Sequence, residues 1–416
     1  MHHPWKFWKK ALAALALLLF AGALTASWLY RREIARVWFV THLFDGSAQV
    51  ESFRHMDRYF RMHVAHRAGP VSPMPAASTP LVLPAQYPLT GRTRSTQELL
   101  DSTETTGLIV LRNGQVLHEH YALGNDASTH WMGWSLGKSV VSALVGLALQ
   151  EGFIDSIDDP LTRYAPELAG SAYDGVTIRQ ALQMSSGVAW NENYGDSQSD
   201  VVRFGRTFAF GGSLEAFART LKREHLPGTF LRYNSLDVQV LGMVLENATD
   251  RSLSSYLEQR LWSHIGASAD AYWLIDDTGS EFAAGGLSLT LRDWARFGQL
   301  HLQHGRWQGE ELMPRDWVAL SHQAGGPHLR PGQRDSANTP LGYGLLWWLP
   351  EDNTGLDSPY VAIGVYNQFI YIDPARQVVI VKTSANRRYG MTPDESSLRE
   401  AETLAWLKAV AEATDR

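Results

Sequence analysis

The sequence predicts an α+β protein, α/β in the broad sense, in which an antiparallel sheet is flanked by helices and carries a mostly helical subdomain. Three observations lead there. First, "TGLIVLRNGQVLHEHYALG" is two β-rich runs joined through Asn113-Gly114, a dipeptide suited to the left-handed residues of a tight hairpin. Second, strand-like runs return near the end of the chain, in "GYGLLWWLP", "SPYVAIGVYNQFIYIDP" and "QVVIVKTS". Third, helical patterns dominate between these regions, roughly 155–335, as in "SLDVQVLGMVLENATD" and "TLRDWARFGQLHLQHG".

The elements follow in order. Lys6, Lys9 and Lys10 precede an uncharged run, Ala11 to Tyr30, that ends at Arg31 and Arg32. Its twenty residues suffice to span about 30 Å of hydrocarbon as a helix. Residues 1–32 are therefore an uncleaved signal anchor with the N-terminus inside, or a cleaved signal peptide. Either reading places the rest of the chain outside the cytoplasm, anchored to the inner membrane or free in the periplasm. Residues 33–94 follow as a juxtamembrane helix and then a proline-rich segment (68–91), an extended linker or wrapping arm. Residues 95–416 form the main domain. There the hairpin leads into an apolar helix from Ser135 to Gln150, stopped by Gly152, and a last helix, "SLREAETLAWLKAVAEA", closes the chain.

Composition narrows the function. The 416 residues carry 37 Lys+Arg against 43 Asp+Glu, a net charge of −6, which gives no electrostatic footprint for nucleic acid. Cysteine is absent, which removes disulfides, thiolate metal sites and cysteine nucleophiles. The chain has no H-E-x-x-H, phosphate loop or G-x-G-x-x-G, so neither metal nor cofactor is expected. His118 and His120 share a strand face without a third ligand. Only seven residues are lysine, which makes a lysine inside a motif informative.

One such lysine stands in "WMGWSLGKSVVSALVG". Ser135 centres G-x-S-x-G and also opens S-x-x-K with Lys138. The first pattern needs a parallel strand running into the serine and a partner histidine downstream. The preceding "NDASTHWMGW" is polar and turn-like, and His225, His264, His301, His304, His322 and His328 lack a recognisable context. The second pattern puts serine and lysine one helical turn apart on one face. A hydroxyl is a weak nucleophile until a neighbour takes its proton, and a buried lysine can do so once desolvation lowers its pKa. The helix after Lys138 is nearly all apolar, so burial is expected.

Tyr233-Asn234-Ser235, in a turn feeding a helix, lies about a hundred residues later. With Ser135-x-x-Lys138 and a late glycine-containing strand, the chain resembles the serine β-lactamase and penicillin-binding-protein superfamily over roughly residues 95–415. It is closest to the esterase and 6-aminohexanoate-dimer hydrolase branch. The resemblance implies a β-lactamase/transpeptidase-like fold and an acyl-enzyme mechanism on an ester or amide, with Ser135, Lys138 and Tyr233 as catalytic residues. It also implies an oxyanion hole from the backbone N–H groups of Ser135 and Val365. Trp190, Tyr194, Ser235, Gly364 and Tyr366 are expected around the substrate, and Trp131, Trp134, Trp347 and Trp348 are further candidates for an apolar wall.

The chain departs from that family's pattern in its third box. Where Lys-Thr-Gly lines the site of class C β-lactamases, the matching strand reads Ala362-Ile363-Gly364. Lys382-Thr383-Ser384 sits on the next strand and is set aside. The missing cation normally helps hold the carboxylate of penicillins and D-Ala-D-Ala peptides. The class A glutamate motif and the Ser-Asp-Asn box are also missing. An esterase or amidase is therefore expected, with a catalytically silent or penicillin-sensing homologue that binds peptidoglycan as the alternative.

Overall fold

The computed structural model describes residues 4–43, 46, 48–332, 340–351 and 353–416. The hairpin is present: Thr105–Arg112 pairs antiparallel with Gln115–Tyr121, and Asn113 (φ 50°) and Gly114 (φ 75°) are both left-handed. It forms one edge of a seven-stranded antiparallel sheet. The strand order is Gly342–Tyr343, Trp348–Leu349, Tyr360–Gly364, Gln368–Asp373, Val378–Ser384, Thr105–Arg112 and Gln115–Tyr121. Early and late strands thus meet where Val378–Ser384 pairs with Thr105–Arg112.

The central strands read as continuous apolar runs because helices cover both faces. Helix Leu291–Leu302 lies on one face, where a Cβ at Gly298 would come within 2.7 Å of Val379 and 3.0 Å of Ile370. Helix Pro393–Ala413 covers the other, burying Trp406, Leu407 and Val410 against Phe369, Val378 and Ile380. Neighbouring residues of one strand therefore serve opposite helices, as the period-two pleat requires. Helix Leu136–Gln150 is buried from Leu136 through Ala148 and packs beside helix Ser235–Thr249.

A second antiparallel sheet runs Met62–Ala65, Ala271–Leu274, Leu287–Thr290 and His130–Met132. Two of its strands fall in the stretch expected to be mostly helical, whose last residues, 333–335, lie outside the described residues. Its first strand falls in the segment expected as juxtamembrane helix and linker. That segment is part of the packed body, with Phe39, Phe53, Met56 and Phe60 in the main core. The proline-rich arm runs along the hairpin's outer strand, where Leu81 N–H donates to Leu117 O at 2.8 Å. That contact covers part of an otherwise open sheet edge.

At the N-terminus, helix Pro4–Leu29 contains a 22-residue stretch, Trp8–Leu29, of mean hydropathy 2.1 and no buried residues. By length and composition it can cross a membrane. Residues 1–3 lie outside the described residues.

Candidate active site

Ser135 occupies the N-cap of helix Leu136–Gln150, and the residue before it, Trp134, is left-handed (φ 49°). The two glycines of the G-x-S-x-G pattern have local packing reasons. A Cβ at Gly133 would sit 2.2 Å from the Trp294 ring, and one at Gly137 would sit 3.2 Å from the Leu287 Cβ. Among the described residues no histidine lines the cavity at Ser135, and His301 is buried in the core, its pKa pushed down to about 3 by desolvation.

Lys138 lies on the first turn of the same helix and is 2% exposed. Its Nζ donates to Ser135 Oγ at 2.9 Å and to the Ala284 carbonyl. Burial lowers the lysine pKa to about 8, and the nearby Glu192 carboxylate works in the opposite direction. An ammonium stripped of water loses more than these neutral acceptors return, so the neutral amine becomes accessible near neutral pH.

The Tyr233 ring lies beside this amine, its centroid 5.4 Å from Lys138 Nζ, and stacks on Trp348 at 5.1 Å. Its loop is pinned by the residue after it. Asn234 caps helix Ser235–Thr249 by accepting from Leu236 N–H at 2.9 Å, and its amide donates to Asp237 Oδ1 at 2.8 Å. Asp237 is fully buried and also accepts from Tyr173 (2.9 Å) and Ser186 (2.7 Å). The third position, Ser235, donates Oγ to Glu192 at 2.6 Å.

Glu192 is the site residue that sequence reasoning missed. Its carboxylate accepts from the Trp190 indole, from Tyr194 OH at 2.7 Å, and from both N–H (3.2 Å) and Oγ of Ser235. Three of the expected substrate contacts, Trp190, Tyr194 and Ser235, thus converge on one carboxylate. "WNENYG" reads as a polar loop, and a lone acid there gives no spacing signal.

Strand Tyr360–Gly364 brings the third box against this corner, where a Cβ at Gly364 would lie 2.6 Å from Gly133 O. The turn that follows rests on two left-handed residues, Tyr366 (φ 63°) and Asn367 (φ 72°). Ala362 is buried in the core. Lys382, expected on the next strand, is two strands away because Tyr366 and Asn367 turn the chain into a separate strand, Gln368–Asp373; it donates to Asn367 (2.7 Å), Thr103 (3.0 Å) and Ser384, and so serves the sheet.

A cavity of about 630 Å³ opens on the pair. It brings together Ser135, Lys138, Tyr194, Ser235, Val365, Tyr366 and Trp134 from the expected set. Trp190 and Gly364 are not among its lining residues, Trp131 and Trp347 are core residues, and Tyr233, beside Lys138, and Trp348, stacked on Tyr233, also lie outside the lining.

A family model for beta-lactamases matches residues 94–404. The chain is 32% identical over 297 residues to the 6-aminohexanoate-dimer hydrolase of Paenarthrobacter ureafaciens, covering 70% of this chain and 74% of that protein. Among solved structures, a Bacillus anthracis protein provisionally assigned as a 6-aminohexanoate-dimer hydrolase superposes with a TM-score of 0.77. That match has 24% identity and covers 90% of this chain and 96% of the other. EstCE1, a hydrolase with promiscuous acyltransferase activity, gives 0.56 at 17% identity over 74% of this chain and 96% of its own. These two structural likenesses bear on the fold. The family match covers well over half of the sequence and the curated relative passes 30% identity, so the chain belongs to the beta-lactamase family of hydrolases.

Proposed function

We propose that this protein is a serine hydrolase that cleaves an ester or amide through an acyl-enzyme. Neutral Lys138, with Tyr233, takes the proton from Ser135 Oγ as that oxygen bonds to the substrate carbonyl carbon. The negative charge on the carbonyl oxygen is met by the N–H groups of Ser135 and Val365. The tetrahedral adduct collapses, the C–O or C–N bond breaks, and the held proton passes through Tyr233 to the leaving group. Water then attacks the acyl carbon, giving one proton to the same base, and the acid product leaves as Ser135 Oγ is reprotonated.

The observation that carries this reading is the buried Lys138 amine at 2.9 Å from Ser135 Oγ, at the wall of a substrate-sized cavity. Ala362 in place of a cation favours an ester or amide over a penicillin. A fluorophosphonate probe and a short-chain p-nitrophenyl ester test it. The wild type labels at Ser135 and turns the ester over, and Ser135→Ala does neither. Equal inertness of both proteins would sink the proposal, and labelling without turnover would identify the penicillin-sensing alternative.

The apolar helix is read as an uncleaved anchor holding this domain on the periplasmic side of the inner membrane. Exposed aromatic residues stand at both ends of its apolar run, Trp5 and Trp8 on one side and Trp28 and Tyr30 on the other. Such belts sit at the two membrane–water interfaces.

A further inference from the structure

We infer that the cavity beside Ser135 takes the straight aliphatic chain of a bilayer-resident amphiphile, an ester or amide of a long-chain acid, entering from the membrane side. This rests on the hydrolase reading above and names its substrate class. The first support is what the cavity is made of. Phe60, Phe208 and Phe282 form a stacked series along its wall, with ring centroids 4.9 and 5.0 Å apart. Its charged lining among the described residues is Lys138, Arg206 and Arg387, with no carboxylate, so an acid headgroup or product finds cations and a substrate carrying an ammonium group finds no counter-ion on its wall. Apolar surface of this kind rewards burial of methylene groups in proportion to area.

The second support is where the cavity leads. Val40 and Leu43 line it, and they lie at the end of helix Arg31–His42, which continues the apolar helix after Tyr30 alone. At 1.5 Å per residue, Val40 is about 16 Å along the helix from Leu29. Arg36 clamps this helix to the domain through Asp277, with oxygens at 2.6 and 3.1 Å. The lining residues Phe210 and Met391 are 52% and 74% exposed, an apolar lip of a kind that marks a binding or membrane surface. The opening thus lies close to the headgroup region that the anchor defines, while Ser135 lies at the domain end.

Gly205 gives a test that spares the fold. It lines the cavity on helix Asp200–Ala209, and a Cβ there meets nothing within 4 Å. The full chain in detergent micelles is assayed on p-nitrophenyl acetate, butyrate, octanoate and dodecanoate. In the wild type kcat/KM rises by about threefold to fourfold per added methylene until the cavity is filled, from roughly 0.8 kcal/mol per buried CH2. Gly205→Phe, and independently Val202→Trp, lower the dodecanoate-to-acetate ratio at least 30-fold. A wild type that prefers acetate, or variants that leave the ratio unchanged, would overturn the inference. Binding of dodecanoic acid to Ser135→Ala is measured in parallel, because it does not depend on chemistry. Binding that Gly205→Phe weakens at least tenfold upholds the chain site even if no ester is hydrolysed, in which case the hydrolase reading alone fails. Absence of binding overturns the chain site whatever the esterase result.

Discussion

Lys138 Nζ donates to Ser135 Oγ at 2.9 Å from a position that is 2% exposed, and its pKa falls to about 8 through desolvation. A lysine with the ordinary value near 10.4 would hold its proton almost completely at neutral pH. Burial changes that. The amine can be neutral when substrate arrives, and the one-turn spacing keeps it on the hydroxyl throughout.

The first prediction concerns pH. Only the neutral amine can accept the Ser135 proton, so kcat/KM for a p-nitrophenyl ester should rise with pH through an apparent pKa near 8 and then level. Lys138→Arg should lose at least a thousandfold, because a guanidinium stays protonated throughout. A flat profile from pH 6 to 9 in the wild type would remove lysine from the role of base.

Glu192 tunes that limb. Its carboxylate raises the Lys138 pKa against the larger effect of burial. Glu192→Gln removes the charge and keeps an oxygen able to accept from Tyr194 and Ser235. The ascending limb of kcat/KM should therefore move to lower pH, with a loss at the plateau of about tenfold or less. A purely structural Glu192 would lower the plateau and leave the limb in place.

The proposed preference for an ester or amide over a penicillin rests on Ala362. Without a cation at that position, nothing on the strand offers a penicillin carboxylate a charged partner, and a charge-assisted contact is worth about 1.5–3 kcal/mol. Acylation of Ser135 by benzylpenicillin should therefore be about tenfold to a hundredfold slower, as kacyl/K, than acylation by a short-chain ester. Stopped-flow acylation with both reagents measures the ratio, and parity would show that the cation is dispensable here.

How far the sequence could be read depended on how local each signal is. Ser135 and Lys138 were legible because one helical turn brings them together, and Asn113-Gly114 because two residues define the hairpin. The strand at 62–65 was not. Met62–Ala65 is only four residues with a histidine inside, and its partner strand Ala271–Leu274 lies two hundred residues away. Glu192 was hidden for a related reason. It acquires meaning only when the loop folds over Ser235, which is 43 positions along the chain. Gly133 and Gly137 match an elbow pattern only by coincidence, since packing against Trp294 and Leu287 accounts for both.

Asp237 carries the last prediction. It is fully buried beneath the Tyr233 loop, and desolvation raises its pKa to about 7 although Ser186 and Tyr173 donate to it. In the unfolded chain its value returns to about 3.9. Between these values the native state binds the proton that the unfolded state has released, so stability falls as pH rises from about 4 to about 7 and then levels. The penalty above pH 7 is on the order of 2–4 kcal/mol. Asp237→Asn keeps the oxygen that Tyr173, Ser186 and Asn234 approach and puts an uncharged nitrogen where Oδ2 has no partner. At pH 4, where the acid is itself neutral, variant and wild type should melt within about a degree of each other. At pH 8 the variant should melt several degrees higher, because it carries no buried charge. Thermal melts at the two pH values measure the difference directly. A variant less stable at pH 8 than at pH 4, relative to wild type, would mean that the carboxylate is held ionised by its donors and stabilises the loop.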